Sequence, residues 1–276
     1  MLRISPYSHG GVDQIIEDMQ GWAWEFVHHK AIGFEDLHPS KTEQQAIMRA
    51  LYDRFDTRCT ECNEAPRPSL ITQLGIHDQG FFHGEIEEVE ERNWHMDDAT
   101  FEKTTAIIGL HLIEFAHPPG PVGNTVFCDM ERLFQQAPEE TQRYAQQTRM
   151  WHTEPEGASD GVEERDYAIS GAVHDGVRIH PATKQMSFYV PNFWFEPEEG
   201  STPEFVEYIE YIKEQVYDPS NQERWIWNEG DFLIWDNRNL MHTMSGGWAA
   251  GERVFNRSSI GHEKPIGVSQ DLLLFQ

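Results

Sequence analysis

The sequence contains three histidine–carboxylate pairs whose spacing suits a metal ion. They are His83-Gly-Glu85, His95-Met-Asp97 and His152-Thr-Glu154. Residues i and i+2 of a strand point to the same face, so each pair could offer an imidazole and a carboxylate to one metal. Because the chain has 14 histidines, one such pair is weak evidence by itself.

The surrounding sequence favours the second pair. His83 and His152 lie in polar segments that we predict to be irregular, whereas His95 lies in a stretch that can pack. A further candidate ligand, His242, comes far downstream, at the end of an apolar segment predicted to be a strand. Two histidines and one carboxylate on one side of an octahedral iron(II) leave positions open for a chelating cosubstrate and for oxygen. The residue types therefore make His95, Asp97 and His242 candidate ligands of one metal ion.

Two arginines beyond His242 could bind an anion. Arg253 lies eleven residues after His242 in an apolar, strand-like stretch, and Arg257 follows four residues later on the same predicted face. An arginine that points inward needs a carboxylate partner, because an unpaired buried charge is costly. The planar guanidinium suits this role since it can bind both carboxylate oxygens at once. An internal salt bridge is the alternative for Arg253.

Several segments, in a fixed order, resemble the motifs of the TauD-like family of taurine/2-oxoglutarate dioxygenases. The main ones are Asn93-Trp-His-Met-Asp97, Gly123-Asn-Thr-Val-Phe127, Trp235-Asp-Asn-Arg238 with His242, and Arg253-Val-Phe-Asn-Arg257. Val177-Arg-Ile-His-Pro181 and Asn221-Gln-Glu-Arg-Trp-Ile-Trp227 are also similar. Each motif alone is weak, but together they cover most of the chain with compatible spacing.

The resemblance implies a mainly β fold with flanking helices (α+β), built on a double-stranded β-helix, or jelly-roll, core. It implies the cofactors Fe(II), 2-oxoglutarate and O2. The expected iron ligands are His95, Asp97 and His242. Thr125 and Arg253 are expected to bind the distal carboxylate of 2-oxoglutarate, and Arg257 an anionic group of the substrate. The expected reaction is hydroxylation of a small anionic or amino-acid-like metabolite, with release of succinate and CO2.

Taurine itself is not implied as the substrate. The segment Arg58–Pro66 lacks the histidine and tyrosine found there in sulfonate-using relatives, and Glu91 stands where a taurine enzyme has asparagine. If residues 91–97 are extended, Glu91 and Asn93 face the same cavity as the iron ligands. The pocket would then contain one fixed anion and, in Arg257, one fixed cation, which predicts a zwitterionic substrate. The alternative is that Glu91 lies on a solvated loop.

Other functions agree with parts of this pattern. The same cofactors could support desaturation or cyclisation of a natural-product intermediate. A non-catalytic jelly-roll sensor could keep the metal without turnover, and a cupin-type hydrolase or isomerase could use a similar metal site. The complete set of Thr125, Arg253 and three ligands argues against the sensor, and a cupin-type enzyme would not need Arg253. The carboxylate of Asp97 disfavours halogenation, which needs a vacant ligand position.

Periodicity predicts the elements that must position these residues. Helices are predicted over residues 12–27, 40–55 and 202–216. Ser40 and Glu43 have the spacing of a capping box at the start of the second helix. Residues 104–115 are predicted to form a buried strand, and short strands separated by turn residues follow from Val177 onward.

We expect residues 1–276 to form one domain, because no repeat, low-complexity tract or linker divides the chain. A polar insertion at about residues 139–170 is predicted to be a surface helix followed by a loop. Its small and charged stretch, residues 154–165, could order over the substrate as a lid. A surface loop without function is the alternative.

Composition narrows the expected partners. The formal net charge is −26, so nucleic acid and anionic membranes are not expected to bind. No stretch approaches the roughly 18 apolar residues of a membrane helix, and the N-terminus does not resemble a signal peptide. The three cysteines include Cys59 and Cys62 at redox or zinc spacing, but no second pair, which favours the cytoplasm. A small-molecule substrate is the expected partner, and the sequence leaves a homo-oligomer open.

Overall fold

The computed structural model describes residues 1–4, 9–55, 70–74, 94–153, 171–191, 195–198, 200–248 and 252–268. The helices are α1 (Val12–Glu17), α2 (Met19–His29), α3 (Lys41–Phe55), α4 (Met130–Gln136), α5 (Glu139–Gln147) and α6 (Pro203–Tyr217). The first strands are β1 (Leu2–Ile4), β2 (Ala31–Phe34), β3 (Leu70–Leu74), β4 (Thr104–Phe115), β5 (Thr125–Asp129), β6 (Arg149–His152), β7 (Ala172–Asp175) and β8 (Val177–Ile179). The remaining strands are β9 (Met186–Phe188), β10 (Phe195–Pro197), β11 (Gln222–Trp225), β12 (Phe232–Asp236), β13 (Leu240–Met244), β14 (Arg253–Glu263) and β15 (Ile266–Gly267).

Two sheets face each other at the centre of the fold. The larger sheet has the strand order β1-β2-β12-β4-β14-β3, and its pairings are antiparallel apart from that of β1 with β2. The smaller sheet has the order β11-β5-β13 and is antiparallel. Side chains from both sheets share one apolar cluster, which includes Trp235 from β12 and Phe127 from β5. The described residues therefore form antiparallel sheets with flanking helices, in agreement with the predicted mainly β, α+β class.

Alternation along the strands separates the space between the sheets from their outer faces. In β12, Leu233 and Trp235 enter the cluster between the sheets, whereas Phe232 and Ile234 pack with helices α1–α3. In β5, Val126 packs instead with the apolar cluster that includes helices α4 and α6. Successive side chains of a strand point to opposite faces, so a sheet covered on both faces needs apolar residues at consecutive positions.

Helix α3 begins at the predicted capping box. The amide of Glu43 donates to Ser40 Oγ at 3.3 Å, and the amide of Ser40 donates to Glu43 Oε2 at 2.8 Å. These two bonds satisfy amide groups that a helix N-terminus cannot satisfy internally. The prediction from local sequence is confirmed.

Other predicted elements are present with local corrections. The helix predicted over residues 12–27 is two helices separated at Asp18. The prediction that His152 lies in an irregular segment is wrong, because it belongs to β6 and its side chain is fully buried. His242 does not end an apolar strand but lies in the middle of β13, after the turn that follows β12.

The predicted insertion is described in part. Residues 139–147 form α5 and residues 149–152 form β6, while residues 154–170 lie outside the described residues, as do Cys59 and Cys62. The lid over residues 154–165 therefore stays a prediction. In the part of the chain that the structure describes, no helix is long and apolar enough to cross a membrane.

A buried ionic cluster stabilises the end of β12. Asp236 accepts hydrogen bonds from Arg238 Nε and Nη2, both at 2.8 Å, and from His180 Nε2 at 2.9 Å. Close by, Arg178 binds Glu263 at 3.1 Å. Burial disfavours the charged carboxylate of Asp236, but the charge of Arg238 and the hydrogen bond from His180 outweigh it. They hold the pKa of Asp236 well below its usual range.

We expect Asp236→Asn to lower the free energy of unfolding by about 2 kcal/mol at neutral pH, because it weakens charged hydrogen bonds in a buried site. A folded-state pKa below the unfolded value of about 3.9 stabilises the fold above that pH, and this contribution is lost as the pH falls toward the folded pKa. The difference between the two proteins should therefore shrink in acid. Urea denaturation at neutral pH and at about pH 3 measures it. Equal stability at neutral pH would contradict the prediction.

Candidate functional site

His95 and His242 are joined through their backbones. The amide of His95 donates to the His242 carbonyl at 2.8 Å, and the amide of His242 donates to the His95 carbonyl at 2.8 Å. On its other side, β13 pairs with β5, and His242 lies opposite Phe127. The pairing of His95 is an isolated bridge, so the described residues 94–97 do not form a regular strand. His95 instead extends the smaller sheet by one residue.

The side chains of His95, Asp97 and His242 converge. Asp97 Oδ1 lies 3.2 Å from His95 Nε2 and 3.8 Å from His242 Nε2, and one ligand atom from each residue lies within 4.8 Å of the others. Ligand atoms about 2.1 Å from a metal and at right angles to each other are about 3 Å apart, so these separations suit one ion. Among the described residues, these three alone form such a group.

Electrostatics favour the protonation states that bind metal. Burial acts to raise the pKa of Asp97, but the charge of Arg257 and a hydrogen bond from His95 outweigh it and hold that pKa well below its usual value. Burial and the neighbouring His95 lower the pKa of His242 to about 3. At neutral pH the carboxylate of Asp97 is therefore ionised and the imidazole of His242 is neutral, as metal coordination requires.

The two carboxylate oxygens of Asp97 have different partners, because Arg257 binds only one of them. Its Nε donates to Asp97 Oδ2 at 3.2 Å, and its Nη2 donates to the same oxygen. The other oxygen, Oδ1, faces the two histidines. The carboxylate therefore has one oxygen that an arginine neutralises and one that faces the candidate metal position.

Aromatic packing orients His242. The ring centroid of Trp235 lies 5.0 Å from that of His242, with the rings edge to face, and the ring centroid of Phe127 lies 6.1 Å away. The His95 ring lies 4.3 Å away on the candidate metal side. Packed neighbours restrict the rotation of a buried imidazole, so the lone pair is pre-oriented before a metal binds.

Arg253 lies almost fully buried between two aromatic rings. Its guanidinium carbon is 4.1 Å from the centroid of the Trp248 ring and 4.9 Å from that of Phe255. Nη1 donates to the Gly123 carbonyl at 2.8 Å, and Nη2 lies 2.9 Å from Met244 Sδ. The aromatic faces favour the cation and fix the plane of its fork, which suits recognition of a planar carboxylate.

Thr125 is connected to this arginine through Met244. It is the register partner of Met244, whose sulfur contacts Arg253. The indole Nε1 of Trp227 donates to Thr125 Oγ1 at 3.0 Å. Since an indole N–H can only donate, this bond uses an acceptor site of the hydroxyl and leaves its proton for another acceptor.

Comparison with known proteins assigns the chain to a family. A family model described as "Taurine catabolism dioxygenase TauD, TfdA family" matches residues 12–259, which include the converging triad and both arginines. The chain belongs to the TauD/TfdA family. Membership confirms the resemblance inferred from the motifs. Membership makes a dioxygenase that uses Fe(II), 2-oxoglutarate and O2 the expected enzyme class, and the converging triad fits it.

Two curated relatives share about a quarter of the aligned residues with this chain. An alkylsulfatase from Acinetobacter baylyi is 26% identical over 63% of this chain and 58% of its own length. An alpha-ketoglutarate-dependent sulfate ester dioxygenase from Pseudomonas putida is 23% identical over 65% of this chain and 63% of its own length. The chain thus matches less than two thirds of either relative, so its own reaction and substrate are inferred rather than transferred.

A solved structure of similar fold contains a metal ion and a bound small molecule. It is the crystal structure of AAD-2 in complex with Mn(II) and N-oxalylglycine, which aligns with a TM-score of 0.67. The alignment covers 90% of this chain and 89% of that chain, at 16% sequence identity. At this identity the likeness shows a common fold.

The other predicted site residues lie outside the described residues or away from the triad. Outside the described residues are Glu91, Asn93, His83, Glu85 and Glu154. The substrate-binding role of Glu91 and Asn93 therefore stays a prediction. His152, the described member of the third pair, packs 5.5 Å from His174 in ring-centroid distance and does not belong to the converging group.

Sequence reasoning missed Asn237 and Trp248. Asn237 bonds to the backbone of Asp97, and Trp248 stacks on Arg253. The motif Trp235–Arg238 contains Asn237, so the family resemblance held a signal for it. Nothing in the spacing around Trp248 indicated its contact.

Proposed function

We propose that this protein is an Fe(II)- and 2-oxoglutarate-dependent dioxygenase that oxidises a small organic anion. The observation that supports it most is the convergence of two imidazoles and a carboxylate beside a buried arginine and a threonine hydroxyl. A metal-binding sensor or a cupin-type hydrolase would not need the second pair of groups. The enzyme class makes use of both.

His95, Asp97 and His242 would bind the iron, since their donor atoms and spacing fit a divalent metal with open positions. Once bound, the cofactors supply the oxidising chemistry: 2-oxoglutarate is decarboxylated to succinate and CO2, and a substrate C–H bond is oxidised. The chain itself orients the groups. Arg257 keeps Asp97 Oδ2 engaged, so that Oδ1 stays directed toward the histidines. The packed ring of Trp235 excludes water from around His242.

Arg253 and Thr125 would bind the distal carboxylate of 2-oxoglutarate. Met244 lies two residues after His242 on β13. It contacts Arg253 through its sulfur and pairs with Thr125 through its backbone, which brings both groups to the His242 end of the strand. The fork of Arg253 can donate to both carboxylate oxygens, and the Thr125 hydroxyl can add a third bond. The pair would therefore select a keto acid with a distal carboxylate over one that lacks it.

We further propose that the two facing sheets are the halves of a double-stranded β-helix and that residues 1–276 form one catalytic domain. The family match over residues 12–259 and the alignment of 90% of the chain with AAD-2 support both statements. The metal site would then lie between the two halves. His95 and His242 belong to the smaller sheet, whereas Arg257, which binds Asp97, belongs to the larger one.

The substrate would carry an acidic group that Arg257 recognises. The hydrogen bonds to Asp97 use Nε and Nη2, so Nη1 is the guanidinium nitrogen best placed to serve a second anion. Two relatives bear names that refer to sulfate esters, which are organic anions. A zwitterion that also contacts Glu91 would be one member of this class.

Anaerobic titration tests the function directly. Adding 2-oxoglutarate to the Fe(II) protein should produce a visible charge-transfer band, because the keto acid chelates the metal. Sulfate esters, sulfonates, carboxylates and amino acids are then compared for substrate-dependent succinate release in air. A metal-binding protein without the band would contradict the proposed function.

We expect Arg257→Gln to raise the KM for the anionic substrate by about 100-fold, since it removes a charged hydrogen-bonded partner from a cavity. The KM for 2-oxoglutarate should change much less. Arg257→Lys should be intermediate, because lysine keeps the charge but not the fork. Steady-state kinetics at saturating Fe(II) measure the three proteins, with Arg224→Gln, an exposed arginine on β11, as the control. An unchanged substrate KM in Arg257→Gln would rule out this role.

A further inference from the structure

The segment that contributes His95 and Asp97 is held in place without a β-ladder. Three consecutive amides have three different acceptors: that of His95 donates to His242, that of Met96 to the carbonyl of Pro191, and that of Asp97 to Asn237 Oδ1. The first two acceptors are backbone carbonyls. The third is a side chain, so it is the one that a substitution can remove.

Asn237 acts on Asp97 as a neighbouring strand would. Its Oδ1 accepts from the Asp97 amide at 2.9 Å, and its Nδ2 donates to the Asp97 carbonyl at 3.1 Å. The side-chain amide thereby makes the pair of bonds that a peptide group makes in an antiparallel ladder. Asn237 is 1% exposed, so these bonds are shielded from water.

Asn237 is itself anchored to the larger sheet. Its second Nδ2 hydrogen donates to the Thr105 carbonyl at 2.8 Å, and its backbone amide donates to the Ala106 carbonyl at 2.9 Å. Both acceptors belong to β4. Asp97 is therefore tied to the larger sheet through Asn237 at its backbone and through Arg257 at its carboxylate. The two histidines are tied to the smaller sheet.

The backbone beyond Asp97 makes this support necessary. Asp98 has a φ of 63°, in the left-handed region, and the chain turns away over residues 97–100. A non-glycine residue in that region costs about 1 kcal/mol and persists only where the surroundings hold it. Thr105 Oγ1 donates to Asp98 Oδ2, which fixes the turn from the other side.

We propose that Asn237 is a positioning residue for the metal: it clamps the backbone of Asp97 to β4 so that Oδ1 meets the two histidines of the opposite sheet. The inference rests on the proposed function, since it takes the triad as the metal site. Residues that orient a metal ligand from behind typically contribute about 10- to 100-fold in metal affinity.

Mn(II) titration of the intact protein tests the clamp without turnover. Binding is followed anaerobically by the electron paramagnetic resonance signal of free Mn(II), in wild type, Asn237→Ala and Asn239→Ala. Asn239 is the matched control: it is a 2% exposed asparagine of the same turn whose Nδ2 donates to Glu131 at 2.9 Å instead. We expect the Mn(II) Kd to rise about 10- to 100-fold in Asn237→Ala and to stay within about threefold in Asn239→Ala.

Thermal denaturation separates positioning from loss of fold. Both alanine variants remove a buried hydrogen-bonding side chain, so both should melt at a lower temperature than wild type. Added Mn(II) should raise the midpoint of Asn239→Ala as much as that of wild type, and that of Asn237→Ala clearly less. If Asn237→Ala does not fold, Asn237→Ser gives the same comparison with a polar group retained.

The possible outcomes distinguish the positioning role of Asn237 from the proposed function on which it rests. If wild type and Asn237→Ala bind Mn(II) within threefold of each other, or if Asn239→Ala is weakened equally, the clamp is wrong and the triad stands. If the wild-type protein itself binds no Mn(II) and His242→Ala changes nothing, the proposed function fails instead. Weaker Mn(II) binding in Asn237→Ala alone supports both the positioning role of Asn237 and the metal site.

Discussion

His242→Ala is expected to lower 2-oxoglutarate turnover by at least about 1,000-fold, because a metal centre contributes several kcal/mol to such catalysis. The His242 imidazole is the proposed ligand from β13, with which both His95 and Phe127 pair. Its burial and its depressed pKa, about 3, keep the ring neutral, so little is needed to prepare it for coordination. Without this imidazole only two protein ligands would remain, and the metal would dissociate readily. Succinate formation and Fe(II) binding measure the loss.

A second buried histidine provides the control. His111 on β4 is 7% exposed, the same fraction as His242, and its pKa is lowered to about 4 by burial. Its Nδ1 lies 3.0 Å from Gln44 Nε2, on the helix-covered side of the larger sheet. His111→Ala should destabilise the fold while iron affinity stays near the wild-type value. Turnover in His242→Ala close to that of wild type would show that His242 is not a ligand.

Local chemistry was predictable from the sequence because its partners are close along the chain. The bonds between Ser40 and Glu43 join residues three apart, and both residue types are visible in the sequence. Strand β4 was predictable because it is covered on both faces and reads as a continuous β-rich run. Strand β6 was not, although its exposure alternates, because one of its two buried side chains is the polar His152.

Long-range contacts explain what the sequence did not reveal at the site. The triad residues could be proposed because two histidines and a carboxylate stand in the order of a recognisable set of motifs. The bond from the Asp97 amide to Asn237 spans 140 positions, and an asparagine in a turn usually serves its own neighbours. The bridge between His95 and His242 likewise depends on how the two sheets face each other. No periodicity within residues 94–97 could show that one side chain and two carbonyls accept their amide hydrogens in place of a neighbouring strand.

Arg253→Gln should raise the Kd for 2-oxoglutarate on the order of 100- to 1,000-fold while leaving Mn(II) affinity almost unchanged. Losing one partner of a buried charged pair costs about 3–5 kcal/mol, and each 1.4 kcal/mol is tenfold in affinity. Arg253 is clamped between Trp248 and Phe255, so glutamine cannot reproduce its position or its fork. Isothermal calorimetry with the Mn(II) protein measures the affinity. Unaltered 2-oxoglutarate affinity in the folded variant would refute the assignment of Arg253.

A pair of threonines on adjacent strands resolves the remaining part of that site. Thr125→Val should weaken the binding of 2-oxoglutarate by only about 1 kcal/mol, since one neutral hydroxyl is lost. Thr243 is the control: it lies on β13 opposite Val126, and by strand alternation it faces away from Arg253. Thr243→Val should leave 2-oxoglutarate affinity unchanged although that threonine is just as buried. If both valine variants weaken the binding of 2-oxoglutarate equally, the loss of affinity reflects sheet packing, and the hydroxyl of Thr125 does not bind the carboxylate.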